Sequence, residues 1–333
     1  MKSLLKILTV LLPFLLLFLI WVYLQNNYHS FSSTAVIAPA TSTVIVIIGG
    51  DVMLDRRDRY IGETSGYDSL FAGIAPLAHQ ADIAVTNLEG SITTYPSKTL
   101  LSNGHTTGDF AFTFATTTAS ALSRAGFTAV SLANNHSGNF GQIGLDQTHA
   151  WLESAGMKWF GDPYNVGAGT SSTAAVICRK SICLAFVGYD EFEPGFEGIL
   201  ADVRRLSNEG YPVIVMPHWG DEYASVSPER VKEKARELAA AGAFAIVGAH
   251  PHVIEDREWI GDVPVIYSLG NLVFDQYFSP EVMTGSVAEL DIEVAPAKSA
   301  RIIAIRLYAV SNESHKGPVI VGGPVEFPKP TSL

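Results

Sequence analysis

The chain has 333 residues, with 33 acidic against 22 basic side chains, a formal net charge of −11 and a sequence pI near 5.2. Nucleic acid, which needs a basic face, is excluded as a partner. Simple attraction to a polyanion is disfavoured on the same ground.

The N-terminus reads as a membrane segment. Lys2 and Lys6 precede an uncharged run from Ile7 to Leu24, closed by Gln25, Asn26 and Asn27. That length reaches the lower limit for crossing a bilayer, and Pro13 is tolerated in membrane helices. Basic residues ahead of the run place that end in the cytoplasm and the remainder outside, so the expected location is the cell membrane, single-pass. A cleaved signal ending near Ala38-Pro39-Ala40 is the alternative. No cysteine lies near the run, which excludes a lipoprotein anchor. The expected organisation is an anchor over 1–24, a Ser/Thr/Ala-rich stalk over 25–42, one domain over 43–315 and a Pro-rich tail over 316–333.

Within the domain the pattern is apolar strand, polar loop, helix. Strands are expected over 43–48, 83–86, 128–132, 213–216 and 245–247, each a near-continuous hydrophobic run of the kind buried on both faces of a sheet. Helices are expected over 116–125 and 142–155, with Gly126 and Gly156 as stops. Another should begin at Ser227-Pro228-Glu229, with Ser227 as N-cap, and end at Gly242. Val176–Cys178 and Cys183–Val187 read as hairpin arms whose sulfurs face each other; a disulfide and two reduced buried cysteines both fit. Beyond residue 263 helices are expected to cease in favour of strands over 265–269, 286–294 and 301–310, the last two antiparallel. The class is therefore α/β, with two packed sheets flanked by helices.

Asp51, Glu89, Asn135, His136, His218, His250 and His252 all follow directly on an apolar strand. Ligands collect beyond the carboxyl ends of strands in α/β sheets, so these side chains should converge on one rim. His250 and His252, two apart in an extended segment, should face the same way. Each residue alone has an ordinary explanation as a turn residue, solvated acid or core histidine. Together they point to a metal site: Asp51, Glu89, Asn135, His218, His250 and His252 as ligands to one or two divalent transition ions, Mn, Fe or Zn. His136, diverging from Asn135, is the candidate general acid. Trp219 and Tyr223 read as a substrate wall or as core. Histidines 29, 79, 105, 149 and 315 follow no strand in this way and read as structural or solvated.

Six ordered segments carry a resemblance: Gly50-Asp51-Val52-Met53-Leu54, Asn87-Leu88-Glu89-Gly90, Ser131–His136, His218–Tyr223, Gly248–His252 and Tyr267–Asn271. They resemble the motifs of the CapA family, capsule-synthesis proteins associated with poly-γ-glutamate. That family is similar in turn to the calcineurin-like metallophosphatases. The resemblance implies a four-layer αββα sandwich with a two-metal centre. It also implies an anionic polymer such as poly-γ-glutamate and other membrane subunits of a polymer synthase as partners. In this comparison Asp51 matches the first acid and Glu89 replaces a bridging aspartate. Asn135 and His136 match the asparagine ligand and the catalytic histidine; His218, His250 and His252 match the last three ligands. Met53 stands where the phosphatase motif has a histidine. Two alternatives remain beside a metal-dependent hydrolase acting on an amide or phosphoester: a non-catalytic polymer-binding or scaffold subunit, and a secreted metallophosphodiesterase.

Overall fold

The structure, a computed structural model, describes residue 18 and residues 20–23, 42–101, 105–166, 173–180, 182–294 and 300–330. Two compact units divide between Ala40 and Thr41. Of the first unit, residue 18 and residues 20–23 are described, and they are helical. Among the described residues no helix is long and apolar enough to cross a membrane. Most of the expected span over 7–24, the stalk and Ala38-Pro39-Ala40 lie outside them.

The second unit is mixed α/β, built on two principal sheets. The nine-stranded sheet runs Val319–Ile320, Ala300–Ser311, Thr284–Val294, Ser42–Val52, Ile83–Leu88, Ala129–Ser131, Lys158–Phe160. Asn271–Val273 also pairs with Ser42–Val52, and Val325–Glu326 with Ala300–Ser311. The last two short strands tie residues of the 316–333 tail to the sheet edge. The six-stranded sheet runs Arg257–Ile260, Val263–Ile266, Ala243–Val247, Val213–His218, Ile182–Asp190, Ala174–Arg179.

Ser42–Val52, Ile83–Leu88 and Ala129–Ser131 in one sheet, and Ala243–Val247, Val213–His218 and Ile182–Asp190 in the other, pair in parallel, which is why they read as unbroken apolar runs rather than alternating ones. Alternation sorts their side chains between two cores instead. Val44, Val46 and Ile48 join Ile214, Met216, Ala245 and Val247 in a cluster drawn from both sheets. Ile47 and Val52 point the other way, onto helices Arg56–Ser65, Asp68–Phe71, Ala75–Gln80 and Thr118–Arg124. Val213 and Val215 likewise pack with helices Phe196–Asn208 and Glu229–Ala241.

Cys178 and Cys183 stand opposite each other in an antiparallel hairpin and form a disulfide. Three expectations are corrected. Pro228, not Ser227, caps helix Glu229–Ala241, with no side-chain cap bond; Ser227 instead donates its backbone N–H to Asp256 and its hydroxyl to Glu255. Helices do not cease after residue 263, because Pro280–Met283 forms one more turn. The segment carrying His250 and His252 is bent rather than extended, as described below.

Candidate metal centre

Parallel register aligns the strand ends that carry the polar residues. Asp51 pairs with Asn87 and Asn271, Asn87 with Ser131, and Asp190 with His218. The loops leaving these strands therefore open on one rim, and all seven predicted residues meet there. Asp51, Glu89 and His252 place ligand atoms within 4.8 Å of one another, and all three are buried. His252 Nδ1 lies 3.3 Å from Asp51 Oδ2, and its Nε2 lies 3.7 Å from Glu89 Oε1. Beside them His218 Nε2 lies 3.0 Å from Asn135 Oδ1 and 3.1 Å from His250 Nδ1. The His250 backbone N–H donates to Asp51 Oδ2, linking the two groups. His136 Nε2 faces Glu89 Oε1 from the other side at 3.9 Å.

The two strand-end histidines reach this point by a route the sequence does not advertise. His250 and His252 have φ of 100° and 60°, the left-handed region that non-glycine residues rarely occupy. The chain turns back twice within Gly248–His252, holding the ring centroids 5.9 Å apart. Such backbone costs on the order of 1–3 kcal/mol per residue and persists where surrounding structure enforces it.

Several residues assigned no role from sequence complete the arrangement. Asn87 donates to Asp51 Oδ1 at 2.8 Å and lies 3.2 Å from His218 Nδ1. Asn134 donates to Asn87 and to the Leu88 carbonyl, and its own oxygen accepts the N–H groups of His136 and Ser137. Asn271 Oδ1 lies 3.0 Å from His252 Nδ1. Three of these amides sit inside the motif segments, yet an asparagine beside a strand end has no signal separating ligand from brace. Phe192 packs on His250 at 4.5 Å, Phe112 on His136 at 4.5 Å and Phe274 on His252 at 4.7 Å. Trp219 is core, fully buried with its indole N–H on the Tyr267 carbonyl, whereas Tyr223 is exposed with its ring 6.0 Å from His252. Met53 is fully buried in the core beneath the helices; its sulfur accepts the Asp55 N–H and does not enter the site.

The electrostatics follow from several ionisable groups buried side by side. Burial pushes Glu89 well above the usual carboxylate range, and neighbouring Asp51 and Glu222 add to it. Both Glu89 oxygens are buried without a hydrogen-bond partner. Burial, then the charge on His252, lowers His250 to about 3. Burial also holds His218 well below its ordinary value. Burial opposes charge on His252, but Glu89 and Asp51 outweigh it and raise the group to about 9. His136 is lowered to about 4, chiefly by burial. The residues fit a divalent ion. Ligands about 2.0–2.2 Å from one ion lie roughly 3 Å apart when adjacent, which is the spacing seen among Asn135, His218 and His250. Glu89, the orphaned acid, lies where a cation would engage it.

Asp190 sits on the same rim and yields a separate test. One of its oxygens accepts the Phe192 N–H and the other has no partner; burial lifts its pKa to about 7. A raised carboxylate stabilises the fold fully below its unfolded pKa and loses that contribution as pH rises through about 7. Asp190→Asn is therefore expected to raise the melting temperature at pH 8.5, by at most roughly 4 kcal/mol in stability, and to leave it nearly unchanged at pH 3, below the unfolded pKa. Equal effects at both pH values would refute this.

Over residues 45–276, well over half its length, the chain matches the family model described as bacterial capsule synthesis protein PGA_cap. It is similar to PGA biosynthesis protein CapA of Bacillus subtilis (strain 168), 28% identical over 246 residues, covering 68% of this chain and 62% of that protein. Similarity to capsule biosynthesis protein CapA of Bacillus anthracis is also 28%, over 251 residues, covering 68% and 59% respectively. The match thus spans about three fifths of the length of these relatives. Among solved structures, a hypothetical protein from Thermus thermophilus aligns with a TM-score of 0.49 at 19% identity, covering 80% of this chain and 98% of that one. On the family model's match, the chain belongs to the bacterial capsule synthesis protein family PGA_cap.

Proposed function

We propose that this is a membrane-anchored protein of capsule polymer synthesis or export, with poly-γ-glutamate as the polymer and a metal-dependent hydrolase-type site facing outward. The observation that carries the proposal is Glu89: a buried acid with neither oxygen hydrogen-bonded, ringed by six side chains suited to ligating an ion or moving a proton. The three apolar clusters, one between the sheets and one beneath each set of helices, support the four-layer αββα reading.

Asp51, Glu89 and His252 would hold one ion, and Asn135, His218 and His250 a second. Mn, Fe or Zn would supply Lewis acidity, acidifying water and polarising a carbonyl or phosphoryl oxygen. The protein's own part in proton transfer falls to His136. Asn139 Oδ1 accepts the Phe112 N–H at 2.9 Å and lies 3.2 Å from His136 Nδ1, so Nδ1 carries the ring proton. Nε2 is left with a bare lone pair toward Glu89. With its pKa near 4 the ring starts neutral. It takes the proton of the attacking water at Nε2 and returns it to the leaving nitrogen or oxygen, acting as base before acid.

The test uses the full chain in detergent, with metal content measured after purification and hydrolysis assayed on poly-γ-glutamate and on a phosphodiester. His136→Ala is expected to lower kcat by about 100- to 10,000-fold with metal content unchanged. Hydrolysis persisting in that variant would remove His136 from the reaction, and metal-free, inert wild-type protein would defeat the whole reading. A scaffold role is the second reading. It is favoured by Met53, whose placement in the core leaves the position beside Asp51 one ligand short of the phosphatase pattern. Full polymer production with ligand-dead variants, and loss on deleting residues 1–24, would support it.

A further inference from the structure

Arg56 opens helix Arg56–Ser65 directly after the first strand and its buried cap, Asp55. Three features of it are unexplained by folding alone. Its φ is 52°, a left-handed conformation that costs a long side chain about 1–2 kcal/mol. Its guanidinium donates to Asp275 through Nη2, but among the described residues nothing accepts from Nη1, and Nε is buried without a partner. Its Cζ lies 5.1 Å from the centre of the Phe112 ring and 5.5 Å from that of Phe274, the same rings that pack on His136 and His252. The guanidinium therefore lies one ring away from both histidines flanking Glu89, with most of its donors uncommitted.

From this geometry we propose that Arg56 recognises the substrate's anionic group, a carboxylate or phosphate held beside the reacting bond. The inference rests on the hydrolase-type reading of the site and deepens it. A planar fork of N–H donors matches oxyanions two bonds at a time. The flanking aromatic faces stabilise the charge and fix the plane of the fork. Asp275, itself anchored by the Arg57 N–H, sets the angle of the side chain. Positioned this way, Arg56 supplies positive charge beside the site in a chain of net charge −11. That charge also reaches His136 and the exposed Tyr223. The shared chemistry is the oxyanion; its source is either the α-carboxylate of a γ-linked glutamyl chain or a phosphoryl group.

The full chain is titrated calorimetrically with Mn²⁺, then with inorganic phosphate and with γ-glutamylglutamate, each in the presence and absence of Mn²⁺. Wild type, Arg56→Gln and Arg56→Lys are compared. The expected result is an unchanged Mn²⁺ affinity in all three proteins and a loss of about 10- to 100-fold in the better-bound probe for Arg56→Gln. Arg56→Lys, which keeps the ion pair with Asp275 but not the fork, should fall between. Whichever probe binds wild type more tightly identifies the source of the anion. Equal binding by wild type and Arg56→Gln, or no binding of either probe by wild type, overturns the proposal. Should Arg56→Gln fail to fold, Arg56→Lys decides by the same criterion. Failure of wild type to bind Mn²⁺ defeats the metal reading instead, while the Mn²⁺-free titrations still decide the role of Arg56.

Discussion

Replacing Glu89 by glutamine is expected to raise the melting temperature of the ion-free protein at pH 8 and to abolish its stabilisation by divalent ions. Both effects follow from one carboxylate that is buried, raised in pKa by that burial and without a hydrogen-bond partner on either oxygen. A carboxylate whose folded pKa is raised stabilises the fold fully below its unfolded value. That contribution is lost as pH rises through the folded value, so the gain from glutamine appears at pH 8 and vanishes near pH 4. Removing one member of a buried ion pair usually strands the other charge. Here the other member is His252, which can shed its proton and leave nothing uncompensated. The expected gain is about 1–3 kcal/mol. With Mn²⁺ at about 100 times its Kd, wild type should gain roughly 2.7 kcal/mol, or about 5–10 °C in Tm. Glu89→Gln should gain none. Thermal melts of both proteins with and without Mn²⁺, at pH 4 and pH 8, decide the matter. A variant that melts lower than wild type without ions at pH 8, or that responds to Mn²⁺ as wild type does, would show that Glu89 is not an ion ligand in waiting.

Much of this site is legible in the chain because parallel strands expose it. A strand buried on both faces must be apolar throughout, so the first polar residue after it marks the rim. Asp51, His218 and their neighbours are visible for that reason. The hairpin at Cys178 and Cys183 is equally legible, since two apolar runs with a short polar turn leave few alternatives. Less legible is anything that depends on backbone curvature. His250 and His252 were expected on an extended segment and sit instead on two left-handed residues separated only by Pro251, a conformation with no signature in residue type unless glycine occupies it. The misplaced cap at Ser227 has a comparable cause. A hydroxyl flanked by Pro228 satisfies the capping pattern locally, but from a distant loop Glu255 accepts that hydroxyl and Asp256 accepts the Ser227 backbone N–H, and tertiary contacts decide. The amide braces at Asn87, Asn134 and Asn271 were hidden by their chemistry, because asparagine serves turns and sites alike.

Gly50→Ala is expected to be the most damaging single-methyl change in the site, costing more than about 3 kcal/mol, at the upper end for any substitution. At positions where the backbone permits it, replacing glycine by alanine stabilises by about 0.4–1 kcal/mol. Conformation is no obstacle at Gly50, which is not among the residues with positive φ. Space is the obstacle: an added Cβ would lie 1.8 Å from the Gly270 carbonyl oxygen. Neither side can retreat. The Gly270 oxygen accepts the Asp51 N–H at 3.0 Å, the Gly50 oxygen accepts the Thr86 hydroxyl at 2.7 Å, and Gly270 itself is hemmed in by Val253 and Ile254. This close approach seats Asp51 against Gly270, next to Asn271, whose side-chain oxygen lies 3.0 Å from His252 Nδ1, so the lesion should reach the ion as well as the fold. Gly261→Ala separates the two mechanisms. Gly261 has φ of 61° with nothing within 4 Å of an added Cβ, so it should cost only about 1–2 kcal/mol and keep the full Mn²⁺ response. Urea denaturation and Mn²⁺-dependent melting of the two variants provide the comparison. Gly50→Ala as stable as Gly261→Ala, or equally responsive to Mn²⁺, would mean that Asp51 reaches its place without the contact between Gly50 and Gly270.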